Sequence, residues 1–140
     1  MSRVRPHTAE ITRPGALEHL PALLACLDEA AAAAGVGDDV LFPVHLAAEE
    51  ACTNVITHGY TDEPGPLTLR FEATPRRVAV TLTDEAPPFD PAAAPPPPLD
   101  GEDRLIGGLG WHLIRETMDE VRHETGPAGG NRLTLIKHLP

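Results

Sequence analysis

With 140 residues, 41% of them hydrophobic, and a formal net charge of −10, the chain suits a single globular domain spanning residues 1–140. No apolar run approaches the roughly 20 residues of a bilayer span, and the opening MSRVRPHTAEITRPG lacks the apolar centre of a secretory signal, so a cytoplasmic protein free of the membrane is expected. The acidic balance argues against direct contact with nucleic acid, which requires basic side chains to displace counterions from phosphate.

In chain order, HTAEIT alternates enough for a short strand. RPGALEHLPALLACLDEAAAAAG reads as a helix closed by Gly35, in which Pro21 either kinks the helix or marks its real first turn. Asp38 and Asp39 offer N-cap chemistry for a second helix, about Val40 to His58, with Gly59 just past its end. The period then changes. PLTLRFEAT and RRVAVTLTDE alternate apolar and polar residues around the turn TPRR, which is a hairpin. Four consecutive prolines in AAAPPPPLDGEDRLIGG forbid helix and central strand, leaving an irregular loop. A helix from about Trp111 to Met118 follows, and EVRHE and NRLTLIKHL close the chain as strands around TGPAGGN. The sum is an α+β two-layer sandwich, helices on one face of a mostly antiparallel sheet.

Three places carry candidate chemistry. On the second helix, Val44, Ala48, Ala51, Cys52 and Val55 form an apolar arc, and Glu50 and Asn54, four residues apart, share one edge beside it. His58 continues that row a turn later, whereas Glu49 points away from Asn54 toward solvent. Asp84 ends a strand before Ala86-Pro87-Pro88. It is either a turn-initiating aspartate or a carboxylate placed to accept a hydrogen bond from a purine amino group. Finally, RLIGGLGWHLIRETMDEV sets Gly107, Gly108 and Gly110 before a helix, an arrangement that can bring backbone N–H groups to phosphate or merely start a helix after a loop. No Lys-Ser/Thr follows the glycines, so it is not a Walker A loop, and the third glycine of a dinucleotide fingerprint is replaced by Leu113. Cys26 and Cys52 form no Cys-x-x-Cys pair and read as buried free thiols, and no two of the seven histidines stand with a cysteine at a zinc-ligand spacing.

The order of these features resembles the ATP-binding module of the GHKL superfamily, and more closely the RsbW-type anti-sigma factor serine kinases. EEACTNVITHGY looks like their N box, TDEAPPFDP their G1 box, GGLGWHLIRETMDEV their G2 box, and NRLTLIKHL their closing strand. The resemblance implies a Bergerat-type fold with a mixed, mostly antiparallel sheet, ATP and Mg²⁺ as cofactors, and transfer of the γ-phosphoryl group to a serine. By the same analogy Glu50 is the general base and Asn54 holds Mg²⁺, while His58 lies near the phosphates. Asp84 takes the adenine amino group, and Thr134 supports that end of the site. Gly108, Leu109 and Gly110 meet the phosphates, Gly107 hinges the lid, and Arg104 contacts the γ-phosphate. The implied partners are a STAS-type anti-anti-sigma factor as substrate, a sigma factor as client, and a second copy in a homodimer. One departure is Ala86 where the G1 box carries glycine: the turn must adopt another conformation or bear strain. That departure motivates an alternative, a regulatory module that binds ATP or ADP and sequesters a partner without chemistry. A detached histidine-kinase catalytic domain is the third reading, disfavoured because the chain has no phosphoacceptor helical hairpin.

Overall fold

The period-2 segments become β2 (Pro66–Ala73) and β3 (Arg77–Asp84), in the computed structural model that describes residues 3–88, 108–126 and 129–140, and of residues 108–111 the backbone alone. Before them come β1 (His7–Pro14), a 3-10 turn (Leu17–His19), α1 (Leu20–Ala34), α2 (Asp38–Asn54) and a π turn (Val55–Gly59). After them come α3 (Gly108–Thr117), β4 (Glu120–Thr125) and β5 (Asn131–His138).

The strands form one sheet in the order β1-β2-β3-β5-β4. All four pairings are antiparallel, so the mixed sheet expected above contains no parallel pair among the described residues. The reason is topological. The connection from β3 through α3 to β4 leaves a gap of one strand, and β5 folds back into it, so β3 and β4 run the same way without touching.

Alternation then decides which side chains face the helices. Leu67, Leu69 and Phe71 of β2, with Val78, Val80 and Leu82 of β3 and Leu135 of β5, are buried against Leu23, Leu27, Val44, Ala48 and Ile114 of the three helices. A side chain as large as Phe71 or Leu82 contributes about 1.5–3 kcal/mol when fully buried, which makes this one-sided layer the main source of stability.

The helix ends follow local chemistry. Pro21 lies in the first turn of α1, where its missing N–H costs nothing, which settles the two readings of that proline. Gly35 closes α1 in the left-handed conformation (φ 83°), its N–H donating to the carbonyls of Ala31 and Ala32. Arg5 straps the same end, its backbone N–H donating to the Ala34 carbonyl at 2.8 Å and its guanidinium to that of Ala33 at 2.6 Å. The N-cap of α2 is Gly37 rather than Asp38 or Asp39. Both aspartates sit inside the first turn, where their charge meets the positive end of the helix dipole. The far end of α3 is held by Lys137, which donates to the Thr117 carbonyl at 3.2 Å and pairs with Asp119 at 3.6 Å.

Gly130 is where β5 comes closest to the end of β3. It has φ +80°, and a Cβ there would stand 2.3 Å from the Asp84 carbonyl oxygen. Gly130→Ala is expected to destabilise the fold by about 1–3 kcal/mol, because strain and a backbone clash add. The midpoint of urea unfolding measures this, and an unchanged midpoint would contradict the close approach.

Candidate nucleotide site

The site is built from the flank of α2, the first turn of α3, and the ends of β3 and β5. On α2, the bond of His45 Nδ1 with Asp28 Oδ1 at 2.7 Å marks the side that faces α1. Five residues on, Glu50 lies about 140° round the helix from that side at 100° per residue. Asn54, one turn later, shares that flank, and both side chains are half-buried. The structure therefore sets Glu50 and Asn54 on one flank of α2, and α3 packs against the same helix. Glu49, one turn after His45, stands on the side of α2 that faces α1 rather than in open solvent; it is half-buried, and its charge lies near Cys52. Burial, with Glu49 beside it, pushes the Cys52 thiol up to about 12, so it stays an inert thiol at neutral pH. Cys26 is half-buried and also a free thiol.

His58 does not complete the row. The α-helix ends at Asn54, and the N–H of Tyr60 bonds back to the carbonyl of Val55 at 2.9 Å, five residues earlier. That wider turn carries His58 off the line of Glu50 and Asn54 and leaves it exposed.

The glycines also move. α3 begins at Gly108, so Gly108, Leu109 and Gly110 form its first turn instead of preceding it. First-turn N–H groups have no intrahelical partner, and the dipole adds positive potential there, which suits phosphate oxygens. Arg104 and Gly107 lie outside the described residues.

Asp84 is the buried centre of the other end of this candidate site, 5% exposed. Its Oδ1 accepts from the N–H of Ala86 at 2.9 Å, an Asx turn, and from the Asn131 amide at 3.0 Å. Among the described residues, Oδ2 receives no hydrogen bond. Burial is the larger effect on this carboxyl: it holds the pKa above the ordinary aspartate range, although the bonds from Asn131 and Ala86 and the nearby His123 pull the other way. The balance is physically reasonable, since taking a carboxylate out of water costs several kcal/mol and each bond to it returns about 1.5–3 kcal/mol.

Asn131, which the sequence reading passes over, sits directly opposite Asp84 in the β3–β5 register. Its amide nitrogen faces three acceptors: Asp84 Oδ1, the Pro87 carbonyl at 3.1 Å and the Ala86 carbonyl at 3.4 Å. That crowd fixes the amide's orientation, so its Oδ1 accepts from His123 Nε2–H at 2.8 Å. Thr134, the residue expected here, pairs with Thr81 and Arg122 three positions further on. An odd offset puts its side chain on the other face of the sheet from Asp84, away from the helices. The structure does not bring Thr134 to the site.

Ala86 adopts another conformation and bears no backbone strain, because no non-glycine residue among those described has positive φ. Its methyl is buried, packed toward Gly59 of the π turn, where an added Cβ would come within 3.0 Å of it.

Comparison with known proteins agrees with this fold. Residues 14–137 match the family model of the histidine kinase-like ATPase domain. The serine-protein kinase RsbW of Halalkalibacterium halodurans is 34% identical over 96% of this chain and 85% of its own length. An anti-sigma F factor of Thermoanaerobacter pseudethanolicus is 26% identical over 69% of this chain and 68% of its own. In three dimensions, a Mycobacterium tuberculosis protein with RsbU and RsbW domains superposes with a TM-score of 0.67 at 21% identity. That match covers 95% of this chain and 33% of the longer protein. The match over most of the chain makes it a member of the histidine kinase-like ATPase domain family, which uses ATP. Within that family the chain belongs with the RsbW-type serine-protein kinases and anti-sigma factors.

Replacing Asp84 with asparagine separates fold from recognition. The new amide oxygen can still accept from Ala86 and Asn131, while an N–H₂ donor replaces Oδ2. Because burial raises the Asp84 pKa, the folded state favours its neutral form, and the charged form at neutral pH costs stability. Asp84→Asn is therefore expected to melt at or above the wild-type temperature at pH 7 yet lose ATP affinity at least tenfold. In the wild type, ATP binding should weaken as pH falls through a range above that of an ordinary aspartate. Calorimetric titration across pH checks both, and undiminished binding by the variant would remove Asp84 from the site.

Proposed function

We propose that this chain is an ATP-dependent protein-serine kinase that also acts as an anti-sigma factor, with a STAS-type anti-anti-sigma protein as its phosphoryl acceptor. The observation that carries the nucleotide reading is the buried Asp84, held through Oδ1 with Oδ2 left to accept an adenine amino hydrogen. The partner assignment is supported by the names of the relatives and by the sequence motifs. Phosphate added to an interfacial serine would break the complex with the antagonist by charge. The chain works as a homodimer in the cytoplasm in this reading; no helix among the described residues is long and apolar enough to cross a membrane.

In the mechanism, Glu50 accepts the proton of the acceptor serine hydroxyl as its oxygen attacks the γ-phosphorus, and the bond to the bridging oxygen of ADP breaks. First-turn N–H groups of Gly108, Leu109 and Gly110 hold phosphate oxygens, with Gly107 as hinge and Arg104 as a further phosphate contact. Asn54 is the residue suited to Mg²⁺: a half-buried amide one turn from Glu50, where no three of His, Cys, Asp and Glu gather among the described residues. Mg²⁺ there would complete its oxygen shell from phosphates and water and neutralise phosphate charge. The alternative, a nucleotide-binding module without chemistry, rests on Ala86. The unstrained turn around that residue, with its N–H on Asp84, favours an intact site instead.

Glu50→Gln preserves size and hydrogen bonding but cannot take the proton. It is expected to lower transfer from ATP to the serine of a cognate STAS protein by about 10²–10⁴-fold, with ATP affinity within about twofold of wild type. Single-turnover phosphorylation measures the rate, and an unchanged rate would remove Glu50 as the base.

A further inference from the structure

Tyr60 links the turn that follows Asp84 to the π turn that follows Asn54. Its ring fills a slot that exists only because two neighbours lack side chains. A Cβ on Gly15 would lie 2.7 Å from ring carbon Cδ2, and one on Gly65 would lie 2.7 Å from Cε1. These glycines also bond to each other, the N–H of Gly15 donating to the Gly65 carbonyl at 2.8 Å, so the slot has a fixed width. The phenol oxygen at the end of the slot has two partners. The Glu85 N–H donates to it at 2.7 Å, and it donates to the Pro66 carbonyl at 2.7 Å. The direction is forced, because an N–H can only donate and a carbonyl can only accept. Burial, with the charges of Asp84 and Glu85 nearby, pushes the phenol up, so it keeps the proton that it gives to Pro66.

Each partner has a place in the site. Glu85 directly follows Asp84, and the next N–H, that of Ala86, donates to the Asp84 carboxylate. Pro66 opens β2, whose Leu67 pairs with Asp84 in the sheet. On the other side, the Tyr60 N–H closes the π turn onto Val55, the residue after Asn54. A covalent and hydrogen-bonded path therefore runs from Asn54 through the π turn and Tyr60 to the Asp84 turn. The packing of the Ala86 methyl toward Gly59 is a second contact between the same two turns.

We infer that Tyr60 is a positioning residue for base recognition: its hydroxyl fixes the turn that aims the Asp84 carboxylate and sets that turn's place relative to Asn54. The inference rests on the reading that Asp84 accepts the adenine amino group. It does not require Tyr60 to touch nucleotide.

The test compares ATP with inosine triphosphate, which carries a carbonyl where adenine has its amino group and so offers no donor at that position. Dissociation constants are measured by calorimetry for the full chain, Tyr60→Phe and Gly65→Ala, with melting temperatures taken without nucleotide. Tyr60→Phe keeps the ring in its slot and removes only the hydroxyl. The expected result is wild-type preference for ATP, about fivefold weaker ATP binding by Tyr60→Phe, and inosine triphosphate binding unchanged. Gly65→Ala, which pushes the ring from the other side while leaving the hydroxyl in the sequence, should lower the same preference, and it carries the test if Tyr60→Phe does not fold. A purely structural tyrosine would lower the melting temperature and weaken both nucleotides equally or neither, which overturns the inference. If the wild type itself does not prefer ATP, the assignment of Asp84 fails first, and this one falls with it.

Discussion

A carboxylate buried at the end of a central strand is a cost that the fold must meet locally, and much of the surrounding structure serves to meet it. Asp84 is 5% exposed, and water cannot solvate it as it would on the surface. The Ala86 N–H and the Asn131 amide solvate it instead, but only if three separate segments arrive together. β3 must end there, the turn must fold back on its own aspartate, and β5 must insert alongside in register. The arrangement spends both donors on one oxygen. Electrostatically, the structure holds an acceptor in a low-dielectric place ahead of any ligand, which is where a single hydrogen bond discriminates best between an amino group and a carbonyl.

The proposed phosphate end obeys a different rule. It relies on the first-turn N–H groups of α3 and on the flank of α2 where Glu50 and Asn54 stand. Neither depends on removing a charge from water, which suits a place that must admit a highly hydrated triphosphate. Geometric constancy comes from elsewhere: Lys137 fixes the far end of α3 to the sheet, and the π turn ties the end of α2 to the base side. In an acidic protein these local positive potentials must overcome an unfavourable net field, and they do so at short range, where the net charge matters least.

Much of this was legible in the sequence because it is periodic or local. The hairpin of β2 and β3 follows from alternation in PLTLRFEA and RVAVTLTD. Glu50 and Asn54 share a flank because four residues make about one helical turn. What was not legible is set by contacts between distant segments. Asn131 acquires its role only from the register that places it opposite Asp84, and Thr134 fails to reach the site through strand parity alone, which a lone strand does not declare. Tyr60 reads as the tail of a motif until its partners at Glu85 and Pro66 are known. Gly37 displaces two better capping residues because the chain must leave α1 and turn within three residues, Gly35 to Gly37. A signal for Asn131 did exist: two glycines precede a polar residue that shares one strand face with Leu133 and Leu135, and Gly130 is there because Asp84 comes so close.

The position of β5 has a consequence for folding. It fills the gap between β3 and β4, so its contacts with β3 join segments about fifty residues apart, including Asp84 with Asn131. Such pairings form late, because loop closure must precede the reward. The base end cannot exist in a partly folded chain that has only the first hairpin and its helices. In the proposed reading, nucleotide stabilises only molecules whose sheet is complete, and the free energy of binding is coupled to opening of the whole sheet rather than to fraying of one edge. Ligand occupancy in this architecture reports on the integrity of the entire fold.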